Sequence, residues 1–410
     1  MDLRLREYAR LVVEMGVNLQ KGQTLLIRAP FHCAYFAQTC AEAAYEVGAR
    51  EVIVDYSDDM ITRMKYLFAD DAVFDECPEW FSGKLNSLTS EGVALLTIYA
   101  DDPNMLQGVV PDRIRRLQLS KGTALKPYRD AVTQNKVRWC IVSVPIPSWA
   151  TKVFQGEQPM EAMEHLWAAI YKTMRITGDG NAVQRWREHV ERTRRRGDTL
   201  TEMDIESLHI MNSLGTELTV GLPENAVWKG GAEVAADGLP FVANMPTEEI
   251  FTVPHREKVN GRVVSSMPFV LNGNVIQRFS LTLENGKITG VQAQNDNDRM
   301  LLENAISVDE GASYLGEVAL VPHDSPISSL GILFYNTLFD ENAACHLAFG
   351  NGYPCIRDAD KMTDAQKKRA GINESITHED FMIGTADMSI TGTSRSGKQV
   401  EIFRNGNFAF

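Results

Sequence analysis

The chain has no apolar run approaching the roughly 18 residues that a membrane-spanning helix requires, which leaves a membrane protein out of consideration. It has only six cysteines in 410 residues, Cys33, Cys40, Cys77, Cys140, Cys345 and Cys355, and none stands at C-x-x-C spacing. That scatter excludes a disulfide framework and a cysteine zinc knuckle, and it suits a reducing cytoplasm. Basic charge is short as well. Lys plus Arg number 41 against 54 Asp plus Glu, a net charge of -13, so the basic footprint that a nucleic-acid backbone needs is missing. The run Arg192-Thr193-Arg194-Arg195-Arg196 is the local exception and reads as a solvated helix end. Several catalytic motifs are absent: no G-x-x-x-x-G-K-[ST], no G-x-S-x-G elbow and no H-E-x-x-H. No G-x-G-x-x-G follows the first strand candidate, which argues against dinucleotide binding. The start of the chain is charged from Asp2 onward and reads as an amphipathic helix through Met15, not as a signal peptide.

What is present is ordinary globular composition, 44% hydrophobic and 23% charged, in a chain long enough for two cores. The first half alternates strand candidates at 23–28, 51–56, 93–99 and 137–144 with helical stretches, the pattern of a mainly parallel sheet covered by helices. Helices are expected at 160–174 and 182–195, with Trp167 and Trp186 as core residues. After about Thr199 the texture changes to short strands with hairpin dipeptides at Asn260-Gly261, Asn272-Gly273 and Asn285-Gly286. The expected fold is therefore α/β plus α+β: an N-terminal α/β domain over 1–199, and an α+β domain over 200–410 with a largely antiparallel sheet.

Metal-ligand chemistry gathers in the second half. Glu317 interrupts the strand-like run Gly316-Glu317-Val318-Ala319-Leu320, where burial of an unpaired charge is costly and demands neutralisation. His378 and Asp380 share a face if their segment is extended. With Glu341 and His346 they make a set of carboxylates and imidazoles without cysteine, which suits zinc, cobalt or manganese. Several carboxylates together can neutralise two divalent ions, so a two-metal hydrolytic centre is the favoured reading. The adjacent Glu248 and Glu249 precede a strand-like segment and face opposite sides of an extended chain; one would bind metal and the other stay uncoordinated.

The stretches Asn244-Met245-Pro246-Thr247-Glu248-Glu249-Ile250-Phe251, Gly316 to Ile327, Phe334 to Ala348 and His378 to Gly384 resemble the thermophilic-type metallo-aminopeptidases, the aminopeptidase T, aminopeptidase S and PepS group. The similarity runs over nearly the whole chain. It implies a cytoplasmic homodimeric exopeptidase that acts on peptides with a free N-terminus and carries two divalent metals in its C-terminal domain. The implied ligands are Glu249, Glu317, Glu341, His346, His378 and Asp380. Tyr353, in Gly352-Tyr353-Pro354, matches a family tyrosine near the metals. The implied mechanism is attack of a metal-activated water, with Glu248 as proton shuttle and Tyr353 donating to the oxyanion. Cys345 and Cys355, close to the ligands in sequence, suggest activity sensitive to oxidation. Two other readings use the same residues: a metal-dependent amidohydrolase acting on a non-peptide amide, and a non-enzymatic ligand-binding protein in which metals only staple the fold.

Overall fold

The computed structural model describes residues 2–410 except Asp101, Pro103, Asn104, Asn272 and Gly273, so the hairpin expected at Asn272-Gly273 lies outside the described residues. The chain forms two compact units, residues 1–189 with 232–246, and residues 190–231 with 247–410. This division is interleaved, unlike a single cut after residue 199. The reason lies in the backbone. Residues 243–245 run beside the last strand of the first unit, where Ile141 N–H donates to the Ala243 carbonyl at 2.8 Å and Met245 N–H to the Ile141 carbonyl at 3.0 Å.

The first unit holds a four-stranded parallel sheet of β1 (Thr24–Pro30), β2 (Glu51–Ser57), β3 (Ala94–Ile98) and β4 (Trp139–Val142), in the order β2-β1-β3-β4. The apolar runs read from the sequence are these strands. Helix α1 (Ala34–Glu46) joins β1 to β2, while α2 (Glu79–Ser90) and α3 (Lys126–Thr133) supply the cover for one face. Leu26 and Leu95 pack there with Leu85, Ala131 and Val137. Trp186 is fully buried, and its indole N–H donates to the Met174 carbonyl at 2.8 Å. Trp167 is only partly buried and stacks on Tyr171.

Among the described residues the second unit contains two large antiparallel sheets and a two-stranded one that pairs 269–271 with 274–276. Eight strands form one large sheet, in the spatial order 287–293, 279–284, 259–264, 217–221, 205–211, 389–394, 399–404 and 407–408. The other large sheet has five: β5 (Lys229–Gly230), β6 (Ile250–Thr252), β7 (Leu315–Leu320), β8 (His346–Gly350) and β9 (His378–Met382), ordered β9-β8-β7-β6-β5. Leu320, Leu347, Phe349 and Phe381 from this sheet join Leu208, Val263, Leu281 and Ile390 from the larger one in a common core. The mixed α/β character expected from the sequence, a parallel sheet followed by antiparallel ones, is what folds.

Local expectations divide. Asn285-Gly286 is a hairpin turn, both residues at positive φ (48° and 83°). Asn260-Gly261 is not a turn; it lies inside the strand 259–264, where a Cβ on Gly261 would come within 2.3 Å of the Glu217 carbonyl. The glycine there answers to close backbone approach, the second reason for glycine in a strand. The basic run 192–196 lies within the helix Ala182–Glu202, not at its end. Its charges are met locally, Arg194 by Glu191 and Asp198 and Arg195 by Glu191. Arg196 sits 4.5 Å over the Phe408 ring. Among the described residues no helix is long and apolar enough to cross a membrane.

Candidate metal centre

Strand register assembles the site. Glu317 on β7 pairs with Ala348 on β8, which pairs with Asp380 on β9, giving a row of three across the sheet. The adjoining row is Phe251, Ala319, His346 and Met382, and His378 stands opposite Gly350 at the strand ends. Directly paired residues and residues two apart share a face, so Glu317, His346, His378 and Asp380 rise from one surface. Glu249 precedes β6, and continuing the pairing of Ile250 with Leu320 sets it on that same surface. The centre of the patch is kept small by Ala319 and Ala348, both buried.

His346 Nε2 lies 3.4 Å from Glu249 Oε2 and 3.6 Å from Glu317 Oε1. His378 Nε2 lies 3.4 Å from Glu317 Oε2 and 3.3 Å from Asp380 Oδ1. Glu317 thus offers one oxygen to each imidazole. The donor atoms of Glu249, Glu317 and His346 lie within 4.8 Å of one another, and so do those of Glu317, His378 and Asp380. These separations exceed the roughly 2.7–3.2 Å of a well-formed N–H···O bond. They match two donors each about 2.0–2.2 Å from a common ion at a tetrahedral angle, which stand about 3.4 Å apart.

The second test of fit is charge. Burial pushes the Glu249 carboxyl up to about 8 and the Glu341 carboxyl well above the usual range, helped by neighbouring carboxylates. Burial acts against the charge on His346 and His378, yet Glu317, Asp380 and, for His346, Glu249 outweigh it and raise them to about 10 and about 11. Glu317 moves the other way: burial is overcome by the two imidazoles and its carboxyl falls below the usual range. Negative charge is in excess and buried, and protons balance it when no cation does. A divalent cation is the partner that such a donor set accommodates.

Glu341 is outside the two tight groups, although its carboxyl is affected by Glu249, Asp380, His346 and Glu317. Glu248 is buried, and its backbone N–H donates to Asn342 Oδ1 at 2.7 Å. The Tyr353 ring packs against His378 and Phe251, with centroids 5.1 Å and 6.0 Å apart, and is half exposed. Its phenol is pushed above the ordinary range by burial and by the nearby carboxylates, which keeps it a proton donor. His378 is the most open group of the cluster, its side chain 22% exposed against 1% for His346, so solvent reaches the patch from the His378 and Tyr353 side.

Two supporting residues escaped the sequence reading. Asn342 is completely buried; it holds the Glu248 backbone and donates to the Leu338 carbonyl at 3.3 Å. Asp340 is also buried, its carboxyl raised to about 7 by burial. It accepts from the Phe334 and Asn336 N–H groups at 2.7 and 3.0 Å, which fixes the turn leading to Glu341. Both are polar residues inside an apolar stretch, the one signal by which sequence alone marks them. The expected oxidation sensitivity is opposed by Cys345, which is buried with its thiol pushed up to about 12, and a thiol rather than a thiolate reacts slowly.

Residues 1–408 match the family described as thermophilic metalloprotease (M29). This chain belongs to that family. Among its relatives in the family, aminopeptidase AmpS of Bacillus subtilis (strain 168) is 43% identical over 408 residues, spanning 99% of this chain and 98% of the relative. Aminopeptidase T of Thermus aquaticus is 36% identical over 404 residues, spanning 98% of each. The solved structure of wild-type AmpT from Thermus thermophilus superposes with a TM-score of 0.91 at 34% identity, covering 99% of both chains. A metallopeptidase family and a buried carboxylate–imidazole cluster point to the same class of enzyme, a metal-dependent hydrolase.

Proposed function

We propose that this protein removes N-terminal residues from peptides at a centre of two divalent ions held by Glu249, Glu317, His346, His378 and Asp380, with Glu341 beside them. The single observation that carries the reading is Glu317, which presents one oxygen to His346 and the other to His378, so that both donor groups share one carboxylate. The M29 membership and the relatives named aminopeptidases supply the reaction class. Divalent ions held by these residues would supply Lewis acidity, polarising a carbonyl and lowering the pKa of water.

The remaining work belongs to the chain's own groups. Glu248, anchored through Asn342, takes the proton from the attacking water and returns it to the leaving amine. Tyr353 donates a hydrogen bond to the oxyanion as the carbonyl carbon becomes tetrahedral, an interaction that strengthens in the transition state. A carboxylate or a metal ion at the centre would hold the substrate's α-amine, which selects a free N-terminus over an internal bond. Zinc, cobalt or manganese is the ion, every ligand comes from the 247–410 part of the second unit, and the protein works as a homodimer in the cytoplasm.

The test is metal analysis of the purified protein coupled to hydrolysis of aminoacyl-amide substrates before and after chelation. We expect bound divalent metal in the active protein, loss of hydrolysis on chelation, and recovery on adding metal back. Undiminished hydrolysis by metal-free protein would sink the proposal.

A further inference from the structure

A cavity of about 520 Å³ lies wholly within the first unit, at the carboxyl ends of β1, β2 and β3. The sheet order β2-β1-β3-β4 places successive strands β2 and β3 on opposite sides of β1. The carboxyl edge of β1 is therefore where the strand order reverses, the position at which open parallel sheets take up ligands. The face that packs beneath α2 and α3 carries Leu26 and Leu95. One step further along the strands it turns polar, with Asp55, Arg28 and Thr97 side by side in register. All three line the cavity, together with Lys84, Trp80 and Tyr56.

The charges in it are uneven. Asp55 pairs with Lys84, whereas Arg28 enters no ion pair among the described residues. Among the described residues the Arg28 guanidinium makes one hydrogen bond, to the Tyr128 hydroxyl at 3.3 Å, and stands 6.0 Å from the centre of that ring, which leaves its other N–H donors for a ligand. The walls are aromatic: Trp80 is 77% exposed and Tyr56 is 44% exposed, a large apolar area to leave in water without an occupant. A guanidinium fork matches a carboxylate in two parallel hydrogen bonds. A phosphate is disfavoured, because the turn after β1 is Pro30-Phe31-His32 and lacks the glycines that bring backbone N–H groups around such a group.

We propose that this cavity binds a small monocarboxylate bearing an aromatic ring, with the carboxylate on Arg28 and the ring against Trp80 and Tyr56. The site is independent of the metal cluster, since it uses none of its residues. The probe is 3-phenylpropionate, titrated by calorimetry and by intrinsic fluorescence into the metal-loaded protein, with 3-phenylpropionamide and inorganic phosphate as comparison ligands. Wild type should bind the acid saturably with a fluorescence change that Trp80→Phe abolishes, and should bind the amide and phosphate far more weakly. Arg28→Met should weaken the acid by about tenfold or more, the usual scale for a hydrogen-bonded charge, and leave turnover of peptide substrates unchanged. Arg28→Lys, which keeps the charge without the fork, serves if Arg28→Met does not fold and should lose several-fold. Equal binding of acid and amide, displacement of the acid by phosphate, wild-type affinity in either Arg28 variant, or no binding at millimolar acid each overturns the proposal.

Discussion

Two sheet faces in this chain turn polar among apolar neighbours, and they resolve the resulting charge in opposite ways. At the carboxyl edge of the parallel sheet, Asp55 is answered by Lys84 with both side chains partly in water. At the antiparallel sheet, Glu317, Asp380, Glu249 and the nearby Glu341 are met among the described residues by two basic groups, His346 and His378, and Glu317 and His346 are almost wholly buried. The Asp55–Lys84 pair is closed within the protein, and among the described residues Arg28 beside it is the one charged group lining that cavity left to meet a ligand. The antiparallel face is in surplus and calls for something from outside. Charge that balances within reach of water adds little to stability, while buried charge of one sign makes a binding site for the opposite sign.

The contrast is broken most severely at Glu317. Glu317→Gln keeps the volume and removes the charge from both groups at once, so hydrolysis should fall by about 10²–10³-fold or more, the scale of losing a preorganised charge-stabilising group, and elemental analysis should show depleted metal. Full metal content in that variant would detach Glu317 from the centre. Next in size, Glu248→Gln should lower turnover about 10²-fold with metal retained, whereas Glu249→Gln should lose metal. The opposite pattern would exchange the two roles. Ala348→Val tests whether the space between Glu317 and Asp380 is needed. Overpacking a buried strand position costs about 1–3 kcal/mol, so the melting temperature should drop and metal affinity weaken together. The smallest effect belongs to the parallel sheet: Lys84→Met should change stability by no more than about 1 kcal/mol in denaturant titration, without any change in metal content.

The architecture was legible in the sequence wherever burial imposed a period. The parallel strands carry short apolar runs, Leu25 to Ile27, Val52 to Val54, Ala94 to Leu96 and Cys140 to Val142, which the sequence shows directly, and β9 could be read because His378 and Asp380 alternate with other residues. Asn285-Gly286 announced its turn through the positive φ it tolerates. Asn260-Gly261 misled because glycine also serves close backbone contact, a tertiary fact that no dipeptide reports. Of the site, residue types and the shared face of His378 and Asp380 were legible. The meeting of Glu317, His346 and Asp380 was expected from their residue types and from the family resemblance; spacing alone does not give it, since it depends on register between strands tens of residues apart, and spacing is equally silent on which of Glu248 and Glu249 turns toward His346. The supports at Asp340 and Asn342 were hidden for the same reason: their partners are backbone groups.

The return of residues 232–246 to the first unit has a practical meaning for anyone wishing to study either half alone. The polypeptide passes between units at 189/190, at 231/232 and at 246/247, so no single truncation yields an intact fragment. A piece ending near residue 189 lacks the stretch that lies along β4, and a piece starting near residue 200 carries that stretch as an orphan. Isolating the half that bears the carboxylate–imidazole patch calls for excising 232–246 and bridging the gap with a short linker, while the other half needs the same peptide grafted back beside Ile141.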